Sequence, residues 1–407
     1  MKIEIAGEGG GHCETTAKKA PNMEILSSVC EISMGQAPKG TSYNTDGEGY
    51  PLIAGAGDLG KTSPCPGKWT DAPTKISKQG DIILCIRATI GDRNWSDKQY
   101  CLGRGVAGLR ANDTKLDQQY LWHWLGHSAG RLKAKGRGAT FLQVSKADIA
   151  SLQIPLPPLA EQKRIAKTLD TADALRTQCH EALAQLDTLL QSTFIDMFGD
   201  PVTNPMGFPV STLSELYISK KDGTKCGPFG SALKKAELVD SGVPVWNMDN
   251  IDPLGRTTLP FRMWITEGKY LKLKAYSVID GDVIISRAGT VGKMCVANSG
   301  RSKSIISTNL IRVRFGADLL PIYFVSLMTY CKGRVGRLKT GPDGAFTHMS
   351  TGVLDKLKFP LPPLPLQNRF ATIVKSVEQQ KSRMKTHLTE LDTLFASLQQ
   401  RAFNGEL

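Results

Sequence analysis

Ile154-Pro155-Leu156-Pro157-Pro158-Leu159 and Phe359-Pro360-Leu361-Pro362-Pro363-Leu364 are one phrase written twice, 205 residues apart. The register then runs on without a gap. Gln162 matches Gln367, Arg164 matches Arg369, and Leu186-Asp187-Thr188-Leu189 matches Leu391-Asp392-Thr393-Leu394. A duplication of this size predicts a two-fold molecule that meets two copies of something.

Each proline phrase opens a long helix. Alternating steps of four and three from Ile165 pass through Leu169, Ala172, Arg176, Cys179, Leu183, Leu186, Leu190, Thr193 and Met197. The same steps from Phe370 pass through Val374, Val377, Lys381, Met384, Leu388, Leu391, Phe395, Leu398 and Ala402. Nearly all are apolar, which is the mark of a coiled-coil seam. The prolines are expected before the helices and not inside them, and Gly199 with Pro201, and Gly405, read as stop signals. Such helices span on the order of 50 Å and act as spacers. Arg176 and Lys381 break the two seams at the same step; they read either as a register device that must find a carboxylate or as solvated residues at the seam edge.

The segments between the helices repeat more loosely. Gly80-Asp81-Ile82-Ile83-Leu84 resembles Gly281-Asp282-Val283-Ile284-Ile285, each followed by Arg87 or Arg287. Tyr50-Pro51-Leu52-Ile53 parallels Val243-Pro244-Val245-Trp246, and Gly130-Arg131-Leu132-Lys133 returns as Gly336-Arg337-Leu338-Lys339. Ala139-Thr140-Phe141 falls where Gly344-Ala345-Phe346 does. Short apolar runs parted by Gly, Pro, Asn and Asp predict mixed α/β domains with long loops. The expected division is an N-terminal extension (1–21), a first globular domain (22–153), a first helical spacer (154–204), a second globular domain (205–358) and a second spacer (359–407).

At 407 residues and 41% hydrophobic content the chain can bury two cores. No apolar run suits a membrane span, the first 21 residues do not read as a secretory signal, and nine cysteines without a C-x-x-C pair fit a reducing cytoplasm. Disulfides and a zinc knuckle are not expected. The net charge of +13 is uneven: residues 22–153 hold 16 basic against 12 acidic side chains, residues 205–358 hold 22 against 12, and the two spacers together 10 against 11. Basic domains beside neutral, apolar helices predict two partners, a polyanion for the former and protein for the latter. Nucleic acid is the leading polyanion.

With two unlike globular halves, each followed by P-L-P-P-L, Gln, Arg and L-D-T-L, and with Phe198-Gly199-Asp200-Pro201 and Asn204 between them, the chain resembles the specificity subunit of Type I restriction-modification systems. The likeness runs from about Met23 to Leu407. It implies an α/β fold in which two mixed α/β target recognition domains are separated by two long helices, packed as an antiparallel coiled coil with a pseudo-two-fold internal repeat. Each half would read one part of a split double-stranded DNA target. It further implies two adenine methyltransferase subunits using S-adenosylmethionine, and restriction or motor subunits that use ATP and Mg. This chain itself would bind no cofactor and no metal.

The DNA-facing residues are expected where basic side chains gather in Gly-rich loops: Lys61, Arg87, Arg131, Lys133, Lys135 and Arg137 in the first half, and Arg287, Lys332, Arg334, Arg337 and Lys339 in the second. The helix and subunit interface is expected at Ile165, Leu169, Arg176, Leu183, Leu186 and Leu190, and at Phe370, Val374, Lys381, Leu388, Leu391 and Phe395. Two other readings compete. Gly55-Ala56-Gly57-Asp58-Leu59-Gly60-Lys61-Thr62 matches the phosphate-binding pattern G-x-x-x-x-G-K-T and would suggest an ATPase or nuclease acting on DNA, but Pro64, Pro66 and Gly67 oppose the helix that pattern needs. A coiled-coil scaffold without DNA binding is allowed by the helices and opposed by the basic halves. His123 and His127 have metal-binding spacing, yet Trp122 and Trp124 beside them favour packing. No methyltransferase N-P-P-aromatic tetrad or nuclease acidic run occurs, so the chain reads as non-catalytic.

Overall fold

The computed structural model describes residues 22–138, 141–229, 232–288, 291–331 and 349–407. These form two compact units, Met1–His180 with Thr386–Leu407, and Glu181–Lys385. The boundary falls inside both long helices.

The first unit begins with β1 (Met23–Ile25), α1 (Leu26–Val29) and β2 (Cys30–Met34), followed by β3 (Tyr43–Asn44), β4 (Tyr50–Ile53), β5 (Trp69–Thr70), β6 (Ile82–Cys85), β7 (Arg93–Trp95), β8 (Cys101–Leu102) and β9 (Val106–Ala111). Then come α2 (Gln118–Ala134), α3 (Lys146–Ala150), β10 (Gln153–Pro155) and α4 (Leu159–Phe198). An antiparallel sheet has the order β2-β9-β6-β7, and a second has the order β3-β5-β4-β8 with β4 and β8 parallel. Strand β6 is buried along its whole length, which explains why it reads as an unbroken apolar run and not as an alternation. Asp117 caps α2 by accepting from the Tyr120 N–H, and Ser145 and Asp148 form a capping box on α3.

The second unit repeats this plan with β11 (Val210–Thr212), β12 (Thr224–Cys226), β13 (Val243–Trp246), β14 (Trp264–Ile265), α5 (Glu267–Lys272), β15 (Val283–Ser286), β16 (Met294–Val296), β17 (Ile305–Ile306) and β18 (Leu310–Val313). It closes with α6 (Pro321–Tyr330), α7 (Thr351–Asp355), β19 (Lys358–Pro360) and α8 (Leu364–Phe403). The order β12-β18-β15-β16 matches β2-β9-β6-β7, and β13 pairs in parallel with β17 as β4 does with β8.

The repeated Gly-Asp phrases have a physical cause. Gly80 and Gly281 take φ of +87° and +95°, open to glycine at no steric cost. The aspartate that follows accepts from the backbone N–H three residues earlier and grips an arginine in β9 or just past β18: Asp81 holds Arg110 at 2.7 Å through both oxygens, and Asp282 holds Arg314 at 2.7 and 2.8 Å. Gln162 and Gln367, both fully buried, are a second such pair. Gln162 accepts from the Asp117 N–H at 2.8 Å and donates to Lys115 and Pro157 carbonyls; Gln367 accepts from the Leu320 N–H at 2.8 Å and donates to Asp318 and Pro362 carbonyls. Tyr120 and Tyr323 each donate to the second residue of their proline phrase, Pro155 or Pro360, at 2.9 and 2.8 Å.

Helices α4 and α8 each run 40 residues, about 60 Å. Pro365 lies in the first turn of α8, inside the helix and not before it as the sequence suggested; its missing N–H is harmless there. Within the first unit Arg164 reaches Leu407 and Arg176 reaches Asp392; within the second, Asp187 pairs with Lys381 and Phe194 packs on Phe370. Rising numbers on α4 meet falling numbers on α8 in each, so the pairing is antiparallel. Ile165, Leu169, Leu190, Phe370, Val374 and Leu391 are buried, while Leu183, Leu186, Leu388 and Phe395 are half-buried. Strict heptad steps fail at the end of α4: Phe194 and Phe198 are buried, not Thr193 and Met197. An undistorted helix turns every 3.6 residues, so a 3.5-residue seam drifts toward the next position. Arg176 pairs with Asp173 and Asp392, and Lys381 with Asp187 and Glu378.

Gly199 ends α4 at φ +74°, Asp200 accepts from the Val202 N–H, and Asn204 at φ +44° exchanges two hydrogen bonds with Phe208. That is the physical content of Phe198-Gly199-Asp200-Pro201 and Asn204: stop, turn and reversal.

Candidate nucleic-acid interface

Basic side chains of the first unit gather where β6, the end of α2 and the following strap meet. Arg87 follows β6 and donates through Nε to the Gln143 side chain at 2.7 Å. Gln143 and Arg137 exchange backbone hydrogen bonds of 2.9 and 3.0 Å, closing the strap at its base. Arg131 and Lys133 lie exposed on the last turn of α2, where cations also meet the negative end of the helix dipole, and Arg131 donates to Ser128. Lys135 is placed differently: its Nζ donates to the Asp148 carbonyl at 3.4 Å and Ser151 Oγ at 3.0 Å, tying the strap to α3. Arg137 stands 86% exposed, with Asp148 3.7 Å away.

A groove of about 540 Å³ lies beside this cluster, bordered by Lys61, Ile90, Arg93, Asn94 and Trp122. Arg93 sits 4.3 Å over the Trp122 ring, which stacks on Trp95 at 4.6 Å. Its Nε has no protein partner, and burial pulls its pKa down to about 10 against the opposing pull of Asp173 and Asp92. Gly126 makes the approach possible, because a side chain there would strike the guanidinium. The groove thus has two cations, Lys61 and Arg93, on its border, while the Trp122 ring is already covered by Arg93 and Trp95.

The Gly55–Thr62 loop has the letters of a phosphate loop but not its geometry. A short 3-10 turn, Ala56–Asp58, replaces the strand-to-helix junction, and no helix follows Lys61-Thr62. The amides that would hold phosphate already have acceptors: Ala54 and Gly55 donate to Asp58 Oδ2 at 2.7 and 3.3 Å, and Gly60 donates to Asn94 Oδ1 at 2.9 Å. The nucleotide-site alternative is therefore withdrawn.

In the second unit Arg287 is only 8% exposed, with its guanidinium 4.7 Å beneath the ring of Phe229, itself 59% exposed. Arg287 supports a surface ring and presents little of itself. Lys332, Arg334, Arg337 and Lys339 lie outside the described residues. His123 and His127 are packing residues: His123 Nε2 meets Asp170 Oδ1 at 2.7 Å, and His127 lies against Phe403 at 5.1 Å. Among the described residues no His, Cys, Asp and Glu group could hold a metal, and no helix is long and apolar enough to cross a membrane. Sequence reasoning missed Arg93, Trp122, Asp58 and Asn94; only the Trp-rich run around Trp122 offered a signal.

Two units of one construction, the first with an exposed basic cluster, define a repeat-built protein. The chain belongs to the Type I restriction modification DNA specificity domain family, whose model matches residues 23–186 and 229–392. It is 40% identical over 145 residues to the putative type I restriction enzyme MjaX specificity subunit of Methanocaldococcus jannaschii, a match covering 36% of this chain and about a third of that relative (34%). It is 22% identical to the EcoBI specificity subunit of Escherichia coli, covering 94% of this chain and 85% of the relative. The fold is shared with the Type I restriction-modification S subunit from M. genitalium, with a TM-score of 0.58 at 18% identity over 96% of this chain and 97% of that one.

Proposed function

We propose that each unit reads one half of an asymmetric, bipartite double-stranded DNA target, and that the chain does so without catalysis. The observation that carries this reading is selective divergence. The inner scaffold repeats bond for bond, through Gln162 and Gln367, Asp81 and Asp282, Tyr120 and Tyr323, while the outer loops differ: one unit offers the Arg93 and Trp122 groove, the other Phe229 over Arg287. Equal frames with unlike loops suit two unlike half-sites. The basic balance of 22–153 and 205–358 supplies the phosphate attraction.

The long helices are the proposed dock for two methyltransferase subunits, in company with restriction or motor subunits, in the cytoplasm. S-adenosylmethionine, ATP and Mg would act on those partners. The seam leucines face inward, so the side chains that support docking are Leu189 and Leu394, matched in the repeat and 48% and 50% exposed. Mapping methylated adenines in cells with and without this gene tests the reading: a two-part asymmetric motif that disappears with the gene supports it, and an unchanged methylome sinks it.

A further inference from the structure

We propose that Arg93 is a phosphate-binding residue of the first unit, held at a cost to stability so that its guanidinium can receive a backbone phosphate of double-stranded DNA in the groove it borders with Lys61. This rests on the DNA reading above and assigns the groove its ligand.

The second unit supplies an internal control. Strand β7 pairs with β6 as β16 pairs with β15, so that Leu84 faces Arg93 where Ile285 faces Met294. The tyrosines that donate to the two proline phrases align α2 with α6, which puts Trp122 where the second unit has Val325, and Gly126 where it has Thr329. In the second unit this junction of strand and helix is apolar: Met294 is 3% exposed and shares a core cluster with Val325. The same frame therefore closes without a cation. In the first unit Arg93 takes the place of that methionine, and Gly126 clears the space its guanidinium fills.

A cation in that place is poorly compensated. Its Nε is buried without a hydrogen-bond partner, and among the described residues no carboxylate lies at ion-pair distance from it; Asp173 and Asp92 act on it only from farther away. The Trp122 ring, 4.3 Å from the guanidinium, gives partial relief. Burying a charge without a counter-ion is unfavourable. A residue that the frame does not require, kept at such a cost, points to binding.

The surroundings select a phosphate as the missing anion. The groove of about 540 Å³ is also lined by Gly60, Lys61, Asp92, Asn94 and Ala129. Asp92 is exposed, so water screens its charge. The Gly60 amide already serves Asn94, which leaves the work of holding an anion to side chains. An arginine fork matches an oxyanion with two free oxygens, and a phosphodiester has two, so Lys61 can share it. Ala129 brings α2 to the groove, and Arg131, two residues on, is exposed to the next phosphates of a strand. A single carboxylate of a partner protein would satisfy Arg93 and leave the other cations unneutralised. The contact sets position on the duplex and carries no sequence information.

The test pairs stability with binding, using the full chain with its methyltransferase partner and a duplex carrying the motif found by methylation mapping. Arg93→Met, which gives the first unit the side chain of the second, is expected to preserve or raise the denaturant midpoint, weaken duplex binding roughly 10-fold at low salt and reduce the salt slope by about one, with the letters of both half-sites unchanged. Arg93→Lys should keep the slope and lose part of the affinity, since the charge stays and the fork goes. A salt slope identical to wild type for Arg93→Met overturns the inference, including when co-purification with the methyltransferase is lost instead, which would place the anion on that partner. A midpoint well below wild type, or failure to fold, overturns it by showing that Arg93 holds the frame. Altered letters in one half-site overturn it in favour of a base contact. A wild-type complex that binds no duplex removes the DNA reading, and this inference with it.

Discussion

Asp187 and Lys381 form an ion pair whose members are the repeat counterparts of Asp392 and Arg176. The aspartate of each L-D-T-L phrase thus holds the basic residue that breaks the seam of the other helix, once in each unit. A slip of one helix along the other by a turn would strand these charges, so the same device fixes the register twice. Their surroundings differ. The Lys381 side chain is 2% exposed with Glu378 at 3.2 Å, whereas that of Arg176 is 26% exposed, with Asp173 at 2.7 Å and the Phe395 ring at 4.5 Å.

That difference in cover sets unequal consequences. Lys381→Ala leaves Asp187 and Glu378 without their buried cation and should destabilise the chain by up to about 3–5 kcal/mol, with Arg256, 2.9 Å from Asp187, limiting the loss. Arg176→Ala should cost about 0.2–1 kcal/mol of ion-pair energy, since solvent screens its partners. Denaturant unfolding of the two variants checks the order; an Arg176→Ala loss equal to or above that of Lys381→Ala would refute it.

Gln162→Ala and Gln367→Ala should each destabilise strongly and similarly. Each removal leaves a buried N–H and carbonyls unpaired, at about 1–3 kcal/mol for each group. Comparable drops in the denaturant midpoint are expected, and a neutral result at either position would show that water replaces the amide.

Much of this architecture was legible in the sequence because the repeat preserves interior residues. Gly80-Asp81 and Gly281-Asp282, Gln162 and Gln367, and the β4 and β13 phrases match for reasons of turn geometry and burial, and such reasons act locally. What was not legible depends on partners distant along the chain. The seam located Arg176 but not Asp392, because periodicity gives a face and not the residue opposite it. Phe194 and Phe198 were missed because helical drift outruns a fixed step. The phosphate-loop letters misled because Asp58 and Asn94 occupy its amides, a competition that no motif encodes. In the interface, Lys135 reads as one of four equal cations, yet it is tied to α3.

Stability should fall as acidity rises through the histidine range. Burial, opposed in part by Asp170, holds the His123 pKa below its ordinary 6.5, and burial with Arg131 does the same for His127. The unfolded chain therefore binds more protons than the folded one, so stability is fully present above about pH 6.5 and is lost progressively as pH falls below it toward the folded values. His123→Gln, which keeps a donor for Asp170, should flatten part of this slope. Thermal midpoints measured from pH 8 to 5 decide it; a slope identical to wild type would exclude His123 as its source.

The basic cluster of the first unit should divide into two classes. Arg131→Ala with Lys133→Ala is expected to weaken DNA binding and reduce the salt slope by roughly one for each lost phosphate contact. Lys135→Ala should chiefly loosen the strap, because its contacts are Asp148 and Ser151, with little effect on the slope. Binding titrations between low and moderate salt separate the classes, and an equal slope change for Lys135→Ala would place it on DNA.

The first unit is assembled from both ends of the sequence. Ala402 and Phe403 are buried in its core cluster with Tyr120, Ile165 and Leu169, and Phe395, Leu398 and Leu407 pack onto it. A ribosome making this chain therefore reverses the usual order in which the earlier domain is finished first. Glu181–Lys385 is contiguous and can close while synthesis continues, whereas the unit that starts earlier in the sequence waits for Thr386–Leu407 to emerge. Until then Tyr120, Ile165 and Leu169 would lack the cover that Ala402 and Phe403 give them in the folded unit. Premature termination in α8 would accordingly injure the unit whose other segment lies earlier in the sequence.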